Sequence, residues 1–292
     1  MASVVHQIQS NTRPALATTY EGDGPVLLER VLPLVEYLEI SPDAIATSEG
    51  KRSRLRPEVL QEYYAVSGRV RFIAHGVGLS IGSYDHWNEG YLGLLDELFS
   101  RLDIEWHSEH LAYTEVNGEN LGTMLALPRT CEALDLVCQR VDAIQERYRV
   151  PFLLEHVIHI LPDAPAEFSA AGFLNEITRR TGCGLILDAY NLECDAHNYG
   201  FAIDDFLAEL DLTRVCEMHL AGGVEQHGFQ LDIHSRPSSA STLQLGLKIA
   251  ARAPGLRAVT YEFLKEAVTL LTHEGICNEL MRTRQAFHDD AA

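Results

Sequence analysis

Positive charge is scarce in this 292-residue chain: 23 Lys and Arg stand against 42 Asp and Glu, a formal net charge of −19. A protein that grips a nucleic-acid backbone needs an excess of cations to displace counterions, so nucleic acid is not an expected partner. Long apolar runs are missing as well. No stretch approaches 18 uninterrupted apolar residues, so no helical membrane span is expected. The opening residues, MASVVHQIQSNTRPALA, lack the basic region and long apolar core of a secretory signal. Six cysteines (131, 138, 183, 194, 216 and 277) include no CxxC pair. With no signal, that points to reduced thiols in the cytoplasm, and Cys183 and Cys216 are expected as buried packing residues. No Pro/Ser-rich linker divides the chain. No glycine-rich phosphate loop follows the first apolar run either, since YEGDGP (20–25) lacks that fingerprint. At 46% hydrophobic and 22% charged residues the composition is that of an ordinary globular protein.

What the chain does have is a recurrence. Eight apolar runs predict strands: ALATTY (15–20), VEYLEIS (35–41), VRFIAHG (70–76), IEWHSEH (104–110), VPFLLEH (150–156), GLILDAY (184–190), VCEMHLA (215–221) and AVTYEF (258–263). Most intervals carry helical periodicity, at 85–102, 129–148, 166–182 and 200–210, with Gly182 placed as a carboxyl-terminal cap. Eight strands alternating with helices predict a parallel sheet, and the number favours a closed (β/α)8 TIM barrel, a single α/β domain over 1–292. A doubly wound open sheet is the alternative.

A barrel of this kind gathers its chemistry at the carboxyl ends of its strands. The stretch FIAHGVG (72–78) puts His75 at such an end, where a solitary histidine would be an ordinary core residue. It is not solitary. Glu39, His75, His110, Glu155, Asp188, His219 and Glu262 close the second to the eighth runs in turn, Asn191 follows Asp188, and LDIHS (231–235) adds Asp232 and His234. FLLE and LILD each push a carboxylate out of an apolar run, where an unpaired charge costs several kcal/mol or takes up a proton. A metal ion removes that cost. Imidazole and carboxylate without thiolate suit Fe, Mn, Zn or Co, and the donors outnumber the four to six that one ion takes. A multinuclear site follows as the expectation. One metal with additional substrate-binding carboxylates, or a purely structural polar layer, are the alternatives.

Taken in order, HGVGLSIGS (75–83), SEHLAY (108–113), LLEH (153–156), TGCGLILDAYN (181–191), EMHLAGG (217–223), DIH (232–234) and YEF (261–263) make the chain resemble the multinuclear non-haem iron-dependent oxidative enzymes, relatives of the methanobactin-biosynthesis iron oxidase, over about residues 35–265. The resemblance implies a TIM barrel with two or three irons, mixed Fe(II) and Fe(III), that uses dioxygen to modify a ribosomally made precursor peptide, commonly at cysteine. It also implies a partner protein that presents the leader peptide. The residues matching the family's ligand positions are His75, His110, Glu155, Asp188, Asn191, His219, Asp232, His234 and Glu262, with Glu155, His75 and Asp188 expected at the reacting centre.

Further positions are expected to orient a ligand or meet substrate: Glu39, Glu109, His107, Tyr190, His197 and Arg236. Glu109 could hold a ligand imidazole through its other nitrogen, or be a solvated carboxylate. His156 and His159 could line the mouth or belong to a polar loop. The chain departs from the family pattern at ILDAYN, NYG (198–200) and YEFLKE, which bears on substrate more than on the main ligand set. Two other functional classes stay open at this point. One is a divalent-metal isomerase or phosphodiesterase on a related barrel, and the other is a non-catalytic metal- or peptide-binding module.

Overall fold

The structure, a computed structural model, describes residues 13–49, 52–161 and 166–288. Residues 1–12, most of the stretch read for a targeting signal, lie outside them. Each of the eight apolar runs forms a strand: β1 (Ala15–Thr19), β2 (Tyr37–Ile40), β3 (Arg71–Gly76), β4 (Ile104–His110), β5 (Phe152–Glu155), β6 (Gly184–Asp188), β7 (Val215–Leu220) and β8 (Ala258–Tyr261). They close into a parallel barrel in chain order, with β1 pairing both β2 and β8. The fold is the TIM barrel that the alternation predicts. Around it lie α1 (Pro25–Val31), α2 (Pro57–Val66), α3 (Glu89–Arg101), α4 (Cys131–Tyr148), α5 (Ala170–Thr181), α6 (Ala189–Tyr199), α7 (Ile203–Glu209), α8 (Ala240–Ala250), α9 (Val268–Leu271) and α10 (His273–His288).

Local chemistry sets the helix ends. The Thr130 and Ser169 side chains accept the backbone N–H of Ala133 and Gly172, which starts α4 and α5. Gly182 ends α5 at φ +75°, the left-handed conformation that glycine adopts without penalty. No helix among the described residues is long and apolar enough to cross a membrane.

Successive side chains of a strand point to opposite faces, and that period of two divides the barrel. Outward residues such as Leu38, Phe72, Leu154 and Leu187 pack beneath the helices. Inward, Ala17, Tyr37, Ile73, Trp106, Leu153, Ile186, Cys216 and Ala258 form one buried apolar layer across the barrel. Two residues further along, the same inward face carries Glu39 on β2, His75 on β3, Glu155 on β5 and Asp188 on β6, with Thr19, Ser108 and Thr260 on β1, β4 and β8. On β7 a register shift against β6 after Leu185 puts both Glu217 and His219 above Cys216. The apolar layer is thus the floor of a polar chamber.

Among the described residues three antiparallel hairpins depart from the expected pattern: 46–49 with 52–55, 112–116 with 119–126, and 224–226 with 229–231. All three follow a barrel strand (β2, β4 and β7), so they stand at the chamber's end of the barrel. The run GLILDAY also splits, because the strand stops at Asp188 and α6 begins at Ala189.

Ile186 is fully buried in the floor. Ile186→Ala should cost about 2–5 kcal/mol through lost burial and a residual cavity, whereas Val26→Ala, at a position 64% exposed, should stay within about 0.5 kcal/mol. Urea midpoints of the two variants check this, and a floor variant as mild as the surface one would mean the layer is not closely packed.

Candidate metal centre

Glu155 is the hub of the chamber and has no solvent exposure. Its Oε2 lies 3.0 Å from His75 Nε2, 3.5 Å from His110 Nε2 and 3.7 Å from His219 Nδ1. The network continues outward. His219 Nδ1 is 2.8 Å from Glu262 Oε2, which is 3.1 Å from His234 Nδ1. His234 Nε2 faces Asp232 Oδ1 at 2.5 Å and Asp188 Oδ2 at 3.5 Å. The Asn191 amide, with its nitrogen toward Asp232, donates to that carboxylate at 3.0 Å. All nine residues matched as ligands therefore fall in one contiguous group.

The rear nitrogens of three imidazoles settle what the front ones present. The Gly76 carbonyl oxygen can only accept, so His110 Nδ1, 2.9 Å away, carries the hydrogen. The Ser108 hydroxyl donates to the Ala74 carbonyl at 3.0 Å, which leaves its oxygen to accept from His75 Nδ1 at 2.9 Å. Behind His219, the Glu39 carboxylate sits 3.2 Å from Nε2 and Glu217 3.6 Å from it. In its neutral form a ring so held turns a bare lone pair toward Glu155. At His219 burial opposes a second proton, but the Glu39, Glu262 and Glu155 carboxylates around it push its pKa well above the ordinary imidazole value, so a proton answers them where no cation does. Lone pairs facing a carboxylate repel, and only protons or a cation between them reconcile the arrangement.

Burial sharpens the demand. Glu155 Oε1 and Oε2, Asp188 Oδ2, His75 Nε2, His219 Nδ1, His234 Nε2 and Glu262 Oε2 are all buried, and despite these close approaches none makes a well-formed hydrogen bond among the described residues. Desolvation pushes the Glu155 carboxyl up to about 7 and that of Asp188 up to about 8, against the pull of neighbouring imidazoles. Glu262 is buried too, but His234 and His219 hold it well below the ordinary carboxylate range. Donor atoms from His75, His110 and Glu155 lie within 4.8 Å of one another, as do those from Glu155, Asp188, His219 and Glu262, and those from Glu39, His75 and His219. The chemistry and convergence of these donors fit metal ions, with Glu155 shared between two of the groups.

The protein orients these groups through its backbone. Asp188 caps α6, its Oδ1 accepting the Asn191 N–H at 2.8 Å, which fixes the carboxylate and aims Oδ2 into the chamber. His234 holds φ +38°, a left-handed conformation costly for a side-chain-bearing residue. Its loop is pinned by Ser235 N–H to the Gly222 carbonyl at 2.7 Å and by Leu264 N–H to the His234 carbonyl at 3.2 Å.

Other expected positions fall elsewhere. His107 and Glu109 lie on the outward face of β4, one residue out of phase with His110, and pair with each other at 3.1 Å among Phe99, Tyr148 and Phe152. Glu109 is therefore neither a solvated carboxylate nor the partner of a converging imidazole; Ser108 and the Gly76 carbonyl take that role. Tyr190 is the exception: its ring stands edge-on to His234 with centroids 6.4 Å apart, and its hydroxyl donates to the Leu231 carbonyl at 3.3 Å. His197 donates to the Gly228 carbonyl at 3.2 Å on the exposed side of α6. Arg236 turns back onto Ser235 O at 2.9 Å. Cys183 and Cys216 are buried, as expected.

Glu217 is a residue the motif reading passed over. It accepts from Trp106 Nε1 at 2.7 Å and from the Thr260 hydroxyl, and it faces His219. Burial opposes its charge, yet hydrogen bonds from His219, Thr260 and Trp106 keep its pKa below the ordinary value. The signal available was position: Glu217 and His219 are two apart on one strand.

A family model described as the RiPP precursor modification enzyme MbnB/TglH/ChrH matches residues 25–271. A UPF0276 protein of Caulobacter vibrioides is 34% identical over 225 residues, 77% of this chain and 78% of that protein. Another, from Anaeromyxobacter sp., is 37% identical over 215 residues, 74% of each. Among solved structures, D-psicose 3-epimerase from Clostridium cellulolyticum H10 is similar at a TM-score of 0.56 and 11% identity, covering 94% of this chain and 100% of that one. The 3-keto-D-glucoside 4-epimerase of E. coli gives 0.53 at 11% identity, covering 92% and 100%. At such identities the likeness is one of fold.

Without metal, the chamber gathers mutually repelling donors, so Glu155→Gln should leave the metal-stripped protein as stable as wild type or more so. Ferrous or other divalent ions added without oxygen should raise the wild-type melting temperature, since a ligand bound only by the folded state stabilises it. Glu155→Gln should lose most of that rise. Scanning calorimetry of the stripped and reloaded pair reads both effects, and an equal rise in the variant would remove Glu155 from the hub.

Proposed function

Because the chain belongs to the family of RiPP precursor modification enzymes MbnB/TglH/ChrH, we propose that it is an iron- and dioxygen-dependent oxidoreductase that modifies a ribosomally made precursor peptide, at cysteine. The observation that carries this reading is the convergence of three rear-locked imidazoles on one buried carboxylate. Two or three irons, in mixed Fe(II) and Fe(III) states, would be held by His75, His110, Glu155, Asp188, Asn191, His219, Asp232, His234 and Glu262, a donor set larger than one octahedral ion uses. Bound there, iron would supply an open position for thiolate and dioxygen and a redox couple for the oxidation.

The chain's own residues would do the rest. Glu155 would help hold the ions of both ends, as its place in two donor groups favours. Ser108, the Gly76 carbonyl and Glu39 keep His75, His110 and His219 in the tautomer that leaves the inner nitrogens free. The closed floor beneath the site keeps bulk water from entering from below, and the three hairpins stand where an extended peptide approaches. A leader-binding partner protein and a cytoplasmic setting belong to the same proposal, as does a single domain spanning 1–292. The sugar-epimerase likeness rests on fold, and metal identity separates that chemistry from this one.

Elemental analysis and Mössbauer spectroscopy of freshly purified protein test the proposal. Two or more irons per chain are expected, clearly depleted in Glu155→Ala and His75→Ala. Oxygen uptake should appear only with a cysteine-bearing peptide, the natural candidate being the product of a short neighbouring reading frame. Zinc or manganese in place of iron after anaerobic isolation would overturn it.

A further inference from the structure

A cleft of about 680 Å³, open to solvent, lies at the chamber's end of the barrel. Its lining includes Val77 and Gly78, the residues that follow Gly76, whose carbonyl holds His110. Three residues of chain span at most about 11 Å, so the cleft begins within that distance of the backbone of His75. Ala46 borders it on the hairpin at 46–55, and Asn120, Gly122, Thr123 and Met124 border it on the hairpin at 112–126. Gly122, Thr123 and Met124 are consecutive, and successive side chains of a strand point to opposite faces. The cleft is therefore bordered by the edge of the strand at 119–126 and not by one of its faces.

That edge is open. The hairpin is a two-stranded sheet, and among the described residues no third strand joins it. Its other strand is tied down instead. Ser80 Oγ accepts the Thr114 and Glu115 N–H groups at 2.8 and 3.1 Å, and the Gly82 N–H donates to the Ala112 carbonyl at 2.9 Å. Arg140 on α4 holds that loop in turn, donating to the Ile81 carbonyl at 2.8 Å. The hairpin is thus anchored on one side and presents an unpaired strand edge on the other, a template for an added strand. Of the described lining only Asp43 is an acid or a base that carries charge, in a chain of net charge −19. An anion meets no cationic side chain in that lining, whereas the amides of an extended peptide meet both donors and acceptors.

We propose that this cleft binds the peptide segment flanking the modified residue, as an extended, non-acidic strand added to the open edge at 119–126. At about 3.3 Å per residue, it takes residues some three or four positions from the one at the metal centre. The proposal rests on the peptide-modifying reading above. Main-chain pairing tolerates sequence, so a blocked synthetic peptide of alternating threonine and valine around one cysteine is the probe. Hydrogen–deuterium exchange of the iron-bearing protein reads its binding. The peptide should lower deuterium uptake across 119–126 saturably and leave the hairpin at 224–231 unchanged. A twin with aspartate in place of threonine should need at least about fivefold more peptide for half-maximal protection. Thr123→Trp, which fills the cleft from an exposed strand position, should abolish the protection.

Iron content and melting temperature of the same samples separate the two ideas. No protection of 119–126 in wild type with intact iron overturns the cleft and leaves the oxidative function standing. Equal protection of both hairpins, by either peptide, or undiminished protection in a folded Thr123→Trp protein, also overturns it. Uptake that falls with protein concentration alone gives the edge to a second copy of the chain and overturns it as well. Protection that follows these expectations in a protein that holds no iron supports the cleft while sinking the oxidative function.

Discussion

The upper half of the barrel is organised around one electrostatic constraint, a carboxylate at Glu155 withdrawn from water and faced by imidazole lone pairs. Burying a charge without compensation costs several kcal/mol, and here the nearest groups are turned the wrong way to compensate by hydrogen bonding. Such a group calls for an explanation, and a proton taken up from solvent or a bound cation supplies one. The rear contacts make the arrangement deliberate. If the rings were free to flip, His110 could turn an N–H toward Glu155 and the conflict would vanish; the Gly76 carbonyl prevents it.

The same constraint explains the division of labour along each strand. Apolar residues at one inward position form the floor, and the next inward position carries the donors, so two residues of strand suffice to pass from core to site. The strands could not supply every donor from this one layer. Asn191 comes from the first turn of α6, and Asp232 and His234 come from the loop after β7. Asp188 links the two sources by capping α6 with one oxygen and facing His234 with the other. The left-handed backbone at His234 belongs here too, since a regular loop would not aim the ring back between Glu262 and Asp188.

The barrel was legible in the sequence because parallel strands buried on both faces read as apolar runs, and all eight did. The hairpins were not. The strand at 119–126 is exposed at five of its eight positions and nowhere fully buried, so neither face imposes an alternation to detect. The end of β6 was misplaced for a different reason, because Ala189 and Tyr190 are buried and continue the apolar pattern although the backbone has turned helical at Asp188. In the site, residues at the inward phase of a run were found, whereas His107 and Glu109 drew attention by type while lying one step out of phase with His110. Glu217 is hidden from a pattern of one donor per strand, because the register shift on β7 supplies two.

Likeness of fold to sugar epimerases and membership of a peptide-modifying family do not compete, since a TIM barrel places any chemistry at the same end. What separates them is the demand made by the donors. A single divalent ion satisfied by four to six ligands at the Glu155, Asp188, His219 and Glu262 end would leave His75 and His110 aimed at Glu155 with the conflict unresolved. An ion at the His75, His110 and Glu155 end would leave Asp188 Oδ2 buried without a well-formed hydrogen bond among the described residues. Two ions, as proposed, would answer both ends at once, with Glu155 a donor common to the two groups. The proposal of more than one metal thus rests on the geometry of these donors and is independent of the substrate.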